Sequence, residues 1–203
     1  MSNIQFGSKV ITGKSSLALS KTITSSVEVS WMARNLGSYL NPGLANHHYI
    51  LIIVNGISLA TSIQTITYKG IEFMTLGGFK VNDYMVFSAN DPNDVASVKD
   101  VLNNTPIKDY FNPLDWEAQK RKVTPPSGSG LQFAGQVLQL ASNYEKNTRA
   151  TPFKYSLLNA NCASWVNTLF KVAGVSANDR IKLGQFIGID AGEQQLIPEK
   201  LFN

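Results

Sequence analysis

The sequence predicts an α+β fold in which an antiparallel β-sheet packs against helices. Apolar and β-branched runs between residues 47 and 76 are separated by turn signals, which is typical of an antiparallel meander. The later segments 131–149 and 162–173 carry apolar residues at helical spacing. Of the 203 residues, 43% are hydrophobic and 16% are charged, which is enough apolar material for one substantial core. We therefore expect a single domain over residues 1–203.

The first part of the chain is predicted to extend the sheet. Residues 1–30 contain short alternating runs that are expected to form edge strands, and residues 32–46 contain Gly and Pro and are expected to form a loop. The N-terminus lacks the basic and then apolar layout of a secretory signal, and no segment approaches the ~18 apolar residues that span a bilayer. We expect no transmembrane segment, and a protein that is cytoplasmic or exported without a cleaved signal peptide.

The meander begins with residues 47–54, a run that is apolar on both faces and is therefore expected to be covered on both sides. Asn55–Gly56 predicts a two-residue hairpin directly after it, because both residue types tolerate the positive φ of a type I′ turn. Lys69–Gly70 predicts a second turn, so that three antiparallel strands follow one another.

Helical patterns dominate the second half. Asp91 or Asn93 could cap a first helix, and residues 112–122 could form another. Residues 123–130 form the clearest loop of the chain. It could be a domain linker, but the strands before it would then lack a cover, so a single domain is preferred.

Charge and cysteine usage exclude several classes of protein. The net charge of +4 is small and spread along the chain. The densest cluster, residues 120–122, is either a solvated patch or a site for anionic partners such as lipid headgroups. The sequence lacks a basic stripe with interleaved aromatic residues, so we expect no nucleic-acid binding. A single cysteine excludes an intramolecular disulfide and a Cys-rich zinc site, and we expect no metal and no cofactor.

The single cysteine, Cys162, stands at the predicted first turn of a helix, behind Asn161 in an N-cap position. The free N–H groups and the helix dipole at that turn stabilise a thiolate, so the pKa of the thiol should fall. The same N–H groups can receive an oxyanion. Asn161 and Cys162 together therefore predict an N-cap, a nucleophile and half of an oxyanion hole. The alternative is a small buried thiol that fills core space.

The adjacent histidines His47 and His48 stand at the start of the first meander strand. Successive strand residues face opposite sides of a sheet, so one of the two should face the cysteine helix. A histidine opposite Cys162 would give the thiolate–imidazolium pair of a thiol hydrolase. The alternative is a pair of structural histidines at a strand edge.

The segment NCASWVNTLFKVAG resembles the Asn-Cys motif of the lecithin:retinol acyltransferase-like proteins, a circularly permuted branch of the papain-like, NlpC-type superfamily. That motif has Asn-Cys, two residues, an aromatic residue, Val and Asn on a helix. The matching residues here are Asn161, Cys162, Trp165, Val166 and Asn167. The resemblance implies a permuted papain-like fold.

A second block supports the resemblance. In HYILIIVNG, His48 is followed seven and eight residues later by Asn55 and Gly56, as in the permuted branch. The histidine precedes the cysteine by more than 100 residues, which is the permuted order. The two blocks cover about residues 47–64 and 155–175.

By position, the resemblance implies that Cys162 is the nucleophile and His48 the base, with His47 as the alternative base if the strand register differs by one. The third member of the family's site is a polar residue on the next strand. The acyltransferase branch has a second histidine twelve residues after the first, and this chain has Ala60 there. Gln64 is the preferred candidate, because its amide can accept from an imidazole N–H. Two further residues share its parity, Ser58 and Ser62.

The expected activity is that of a cysteine hydrolase that forms an acyl-enzyme and cleaves an amide bond, such as those of peptidoglycan peptides. A secreted toxin or effector with an inhibitor or immunity partner would fit this reading. One alternative is a phospholipase or acyltransferase that uses the same Cys-His pair on ester lipids. A second alternative is a binding module that keeps the scaffold without catalysis.

Overall fold

The computed structural model describes residues 26–36, 46–103, 119–186, 192 and 194–203. These residues form an α+β fold with an antiparallel sheet packed against helices, as predicted. The strands are β1 (Ser26–Asn35), β2 (Asn46–Asn55), β3 (Ile66–Tyr68), β4 (Ile71–Val81), β5 (Tyr84–Ala89) and β6 (Gln119–Lys122). The helices are α1 (Pro92–Leu102), α2 (Gly130–Ala150), α3 (Cys162–Val172), α4 (Ala177–Gly184) and a 3₁₀ turn at Glu199–Leu201.

The sheet has β2 at its centre. The strand order is β3-β4-β2-β1-β6, and β5 also pairs with β4. Every strand pair is antiparallel. β1 and β2 pair over their whole lengths, from Ser26 opposite Asn55 to Asn35 opposite Asn46. The start of β2 is therefore held by β1, and β4 pairs with the strand from Tyr49 onward.

Both faces of the sheet are covered. The larger core lies between one face and helices α2 and α3, and it includes Ile50 and Ile52 of β2. The smaller core lies on the other face, beneath α1, and it includes Tyr49 and Leu51. The predicted two-sided burial of β2 is confirmed, and the alternation along β2 places consecutive residues in different cores.

Three of the predicted helices are confirmed, and each begins behind a residue whose side chain caps it. Asp91 caps α1 and accepts a hydrogen bond from the backbone of Asn93. α2 begins behind Ser129 with a capping box. α3 begins at Cys162, as predicted, and Gly174 follows it with φ of 89°.

The predicted hairpin at Asn55–Gly56 is wrong. Residues 57–65 form an irregular loop, and β2 pairs with β4 rather than with the segment that follows the turn. Only the glycine of the pair has a positive φ. Two-residue hairpins with positive φ at both central positions occur at Lys69–Gly70, as predicted, and at Asn82–Asp83.

Other predicted boundaries also change. Residues 32–35 belong to β1 rather than to a loop, because the ladder with β2 continues through Asn35. Residues 119–122 form a strand rather than the end of a helix, because they complete the sheet beside β1. The predicted strands in residues 1–25 and the rest of the predicted helix, residues 112–118, lie outside the described residues. Within the described part of the chain, no helix has the length and apolar character needed to cross a bilayer.

Helix α3 approaches the sheet closely at Gly78 of β4. A Cβ atom added at Gly78 would lie 2.8 Å from Cγ of Trp165, which is fully buried. The missing side chain therefore sets how near the cysteine helix comes to β4.

Gly78→Ala should lower the free energy of unfolding by about 1–3 kcal/mol, because the new methyl group overpacks the contact with Trp165. Gly135→Ala is the matched control, since a Cβ atom there meets nothing within 4 Å. In the middle of α2 that change should stabilise the protein by about 0.5–1 kcal/mol. Urea denaturation measures both, and equal effects would contradict the close approach.

Candidate active site

Cys162 is the first residue of α3 and lies behind a well-formed N-cap. The side chain of Asn161 accepts a hydrogen bond from the backbone N–H of Ser164 at 3.1 Å, and Ser164 Oγ accepts from the backbone N–H of Asn161 at 2.8 Å. The cap uses the N–H of the third helical residue. By helix geometry the N–H groups of Cys162 and Ala163 have no partner within the helix, so they are suited to bind an anion at the sulfur.

The sulfur of Cys162 lies against the backbone at the start of β2. The N–H of His48 donates to Sγ at 3.5 Å, and Sγ lies 3.9 Å from the carbonyl oxygen of Asn46. The residue is only 6% exposed. Because the sulfur sits at the strand end rather than over one face, it can reach a side chain that points to the opposite face.

That side chain is His47. Its imidazole is close enough to Cys162 and to Asp94 for both to influence its protonation. His47 Nε2 lies 3.5 Å from Asp94 Oδ2, an ion-pair distance, and neither atom has a hydrogen-bond partner among the described residues. The ring packs on Phe79 with centroids 4.5 Å apart, and Gly77 leaves room for it, since a Cβ there would come within 3.4 Å of Nε2.

Asp94 reaches His47 from the first turn of α1 and is 1% exposed. Its other carboxylate oxygen, Oδ1, accepts from Arg34 Nε at 2.6 Å. Arg34 lies on β1 directly opposite His47 in the ladder. Carboxylate, imidazole and thiol therefore stand in a row, Asp94–His47–Cys162, with a guanidinium behind the carboxylate.

The row changes the protonation of its members. Burial alone lowers the pKa of His47, but its interactions with Asp94 and Cys162 outweigh burial and raise the pKa to about 9. Burial raises the pKa of Cys162, whereas the hydrogen bond and charge of His47 and smaller contributions of His48 lower it to about 7. Between these values the pair is a thiolate and an imidazolium.

His48, the predicted base, has its imidazole on the other face of the sheet. Trp31 Nε1 donates to His48 Nδ1 at 2.9 Å, and the ring of Phe186 lies edge-on with centroids 5.3 Å apart. The geometry brings the alternative base, His47, to Cys162 through its side chain, and brings His48 there through its backbone N–H. The alternation of β2 decides this division.

Gln64, the predicted third member, is not brought to the site. It is exposed in the loop that follows β2, and its carbonyl oxygen accepts from Asn90 Nδ2 at 2.7 Å. Among the described contacts, none joins Gln64 to either histidine or to Cys162. Ser58 and Ser62 lie in the same loop, beyond the end of β2 opposite to the histidines.

The polar partner that the sequence reasoning missed is Asp94. A signal for it exists in the sequence: Asp94 lies on the same helical stripe as Ser97, Val98 and Val101, spaced three, four and seven residues away. A carboxylate on the buried stripe of an amphipathic helix needs a cationic or hydrogen-bonding partner. The family resemblance instead implies a polar partner on the neighbouring strand.

Tyr155 adds a further polar group near the sulfur. Its hydroxyl has a pKa raised to about 12 by burial and by the charge of Cys162, so it keeps its proton. The backbone N–H of Tyr155 donates to the carbonyl of Asp83 at 2.8 Å, which ties this segment to the β4–β5 hairpin.

No group of three or more His, Cys, Asp or Glu side chains in the described part of the chain is arranged to hold a metal ion. The members of the row follow one another rather than surround a common point. Comparison with known proteins found no matching family model, no similar curated protein and no similar solved structure.

The pH dependence of Cys162 alkylation by iodoacetamide should reveal the pair. In the wild type the rate should rise with a midpoint near pH 7. In His47→Ala the midpoint should move to about 9 or above, because burial of the thiol remains while its main partner is lost. His48→Ala should shift it less, since alanine keeps the backbone N–H that donates to Sγ. Equal shifts in the two variants would contradict this assignment.

Proposed function

We propose that this protein is a cysteine hydrolase that works through an acyl-enzyme on Cys162. The observation that carries the proposal is the row Asp94–His47–Cys162 at the N-terminus of a helix. It combines a thiol with a depressed pKa, a base with a raised pKa and a buried carboxylate that orients the base.

In the first half of the reaction, the Cys162 thiolate attacks the carbonyl carbon of the substrate. The developing oxyanion would lie near the N–H groups of Cys162 and Ala163, which have no partner within α3. As the tetrahedral intermediate collapses, the imidazolium of His47 gives its proton to the leaving amine. The products of this half are a thioester on Cys162 and a neutral imidazole.

In the second half, neutral His47 takes a proton from a water molecule that attacks the thioester. Collapse of this second intermediate releases the carboxylic acid and the Cys162 thiolate. His47 keeps the proton, so the ion pair is restored. Asp94 holds Nε2 throughout and leaves the other ring nitrogen for proton transfer.

Amide bonds of peptide-like polymers, such as peptidoglycan peptides, are the proposed substrates, on a permuted papain-like scaffold. The motif around Asn161 and Cys162 supports that scaffold, and the absence of a second histidine at Ala60 separates this chain from the lipid acyltransferase branch. A secreted effector controlled by an inhibitor protein is the proposed biological setting.

Trapping of the acyl-enzyme tests the proposal. Incubation with p-nitrophenyl acetate should give a burst of nitrophenolate and an acetyl group on Cys162 that mass spectrometry locates. Cys162→Ala should abolish the burst, and His47→Ala and Asp94→Asn should slow it by about 10²–10⁴-fold and 10–10³-fold. Digestion of purified sacculi then tests the amide substrate through the release of peptides with new termini.

Gln64→Ala is the matched control, because Gln64 is polar, exposed and outside the row; it should retain the wild-type burst. A wild-type protein that stays unacylated while its thiol alkylates normally would contradict the enzyme and favour a binding module on the same scaffold.

One observation favours ester lipids as a second candidate. Leu157 and Leu158 are 67% and 65% exposed, and they project from a tight turn closed by two backbone hydrogen bonds between Ser156 and Ala160. Asn161 Nδ2 donates to the carbonyl of Leu157 at 2.7 Å, which fixes the turn to the cap of the cysteine helix. Two exposed leucines beside a nucleophile suit an apolar substrate or a lipid interface.

A Leu157→Ser, Leu158→Ser double variant separates the two substrates. If the substrate is lipid, hydrolysis of phosphatidylglycerol vesicles should fall at least about tenfold, since about 1.5 kcal/mol or more per leucine of apolar burial is lost. Iodoacetamide alkylation should stay unchanged. Leu131→Ser is the control, because Leu131 is 42% exposed and lies at the start of α2. Equal activity of all three proteins on vesicles would count against the lipid candidate.

A further inference from the structure

Arg34 holds the side of Asp94 that faces away from His47. Its Nε donates to Asp94 Oδ1 at 2.6 Å, while Asp94 Oδ2 faces His47 Nε2 at 3.5 Å. Arg34 and His47 are directly opposite each other in the β1–β2 ladder. Two cationic side chains from neighbouring strands thus share one carboxylate that descends from α1, and the guanidinium makes the much shorter contact.

The shared carboxylate is deeply buried. Asp94 is 1% exposed and Arg34 is 13% exposed on their side chains, so water screens their interaction little. Asp91, the N-cap of α1, lies on the outer side, with Oδ1 3.9 Å from Arg34 Nη2. The guanidinium is therefore fixed between the cap of α1 and the carboxylate of its first turn.

We infer that Arg34 is a positioning residue that balances the charge of Asp94, so that His47 is oriented by a carboxylate without being held permanently as an imidazolium. This inference rests on the proposed row Asp94–His47–Cys162. A base that must give up its proton and recover it in each cycle works best when its affinity for the proton is not excessive. A carboxylate that is shared with a guanidinium still orients the imidazole ring, but it attracts the ring's proton less strongly than an unshared carboxylate would.

The charges of Asp94 and Arg34 have opposite effects on the nearby Tyr49 hydroxyl. Its hydroxyl bonds to Ser97 Oγ at 2.6 Å on the same face as Asp94. Burial is the main cause of its raised pKa; of the two charges, Asp94 raises this pKa and Arg34 lowers it. Asp94 also raises the pKa of His47, and Arg34 stands behind this carboxylate.

The titratable groups around His47 and its carboxylate partner Asp94 come from four elements. They are Arg34 of β1, Tyr49 of β2, Asp91 and Asp94 of the α1 cap and first turn, and Cys162 of α3. Tyr49 stays protonated near neutral pH, because burial raises its pKa. Removal of Arg34 would leave two carboxylates, the imidazole and the thiol without a balancing cation. Such a cluster should bind protons more tightly.

NMR titration of the His47 imidazole tests the inference. The chain has two histidines, so the imidazole signal that disappears in His47→Ala belongs to His47 and the remaining one to His48. In Arg34→Gln we expect the pKa of His47 to rise by about one unit, and in Asp94→Asn we expect it to fall. Arg34→Lys should stay near the wild-type value, because it keeps the charge. Arg149→Gln is the control for loss of an exposed arginine, and it should leave the titration unchanged.

The sign of the shift separates the inference from a merely structural role. If Arg34 only held the fold, its loss would admit water and move the pKa of His47 down toward its ordinary value. A fall or an unchanged pKa in Arg34→Gln therefore overturns the inference. If that variant does not fold, the double variant with Asp94→Asn removes both charges and leaves no unpaired one. Its His47 pKa should exceed that of Asp94→Asn alone, and an equal or lower value overturns the inference.

The same experiment distinguishes this failure from failure of the proposed function. An Asp94→Asn variant that leaves the titration of His47 unchanged would break the proposed row itself. A normal fall in Asp94→Asn together with no rise in Arg34→Gln would remove only the role of Arg34.

Discussion

The contact between the sulfur of Cys162 and the backbone at the start of β2 joins segments more than one hundred residues apart. It fixes where the N-terminus of α3 meets the sheet. Because the contact is with the strand end, the sulfur is within reach of a histidine that belongs to the opposite face. The candidate site therefore depends on the closeness of α3 to the sheet, which Gly78 permits.

The protonation states of the site depend on two opposing effects, the burial of Cys162 and His47 and their interaction with oppositely charged partners. Burial by itself favours the neutral thiol of Cys162 and the neutral imidazole of His47. Both preferences are reversed because each group supplies the other's countercharge and Asp94 adds a fixed one. An isolated cysteine in the same cavity would be an inert core residue, which was the alternative interpretation of the sequence. The difference between the two outcomes is the presence of partners from other elements.

The sequence was informative where local rules dominate. The helix that begins at Cys162, its Asn161 cap and the two-sided burial of β2 could be predicted, since they follow from capping chemistry and apolar periodicity. The hairpin predicted at Asn55–Gly56 is wrong, because β2 pairs with β4 and this tertiary pairing overrides the local turn preference. The choice between two adjacent histidines could not be made either: periodicity shows that they face opposite sides, and only tertiary packing shows which ring reaches the sulfur.

The origin of the third polar residue follows from the same packing. On β4 the residues near this end of β2 are Gly77, which pairs with Tyr49, Gly78, and Phe79, whose ring packs on His47. Gly77 leaves space for the His47 imidazole on one face, and Gly78 leaves space for Trp165 on the other. These residues of β4 therefore pack against the ring but supply no side-chain hydrogen-bond partner. The remaining approach to Nε2 is from the layer above, where the first turn of α1 carries Asp94. The helix that covers the smaller core, α1, thus supplies the carboxylate, and the helix on the other face, α3, supplies the thiol. The His47 imidazole links the two at the end of the sheet.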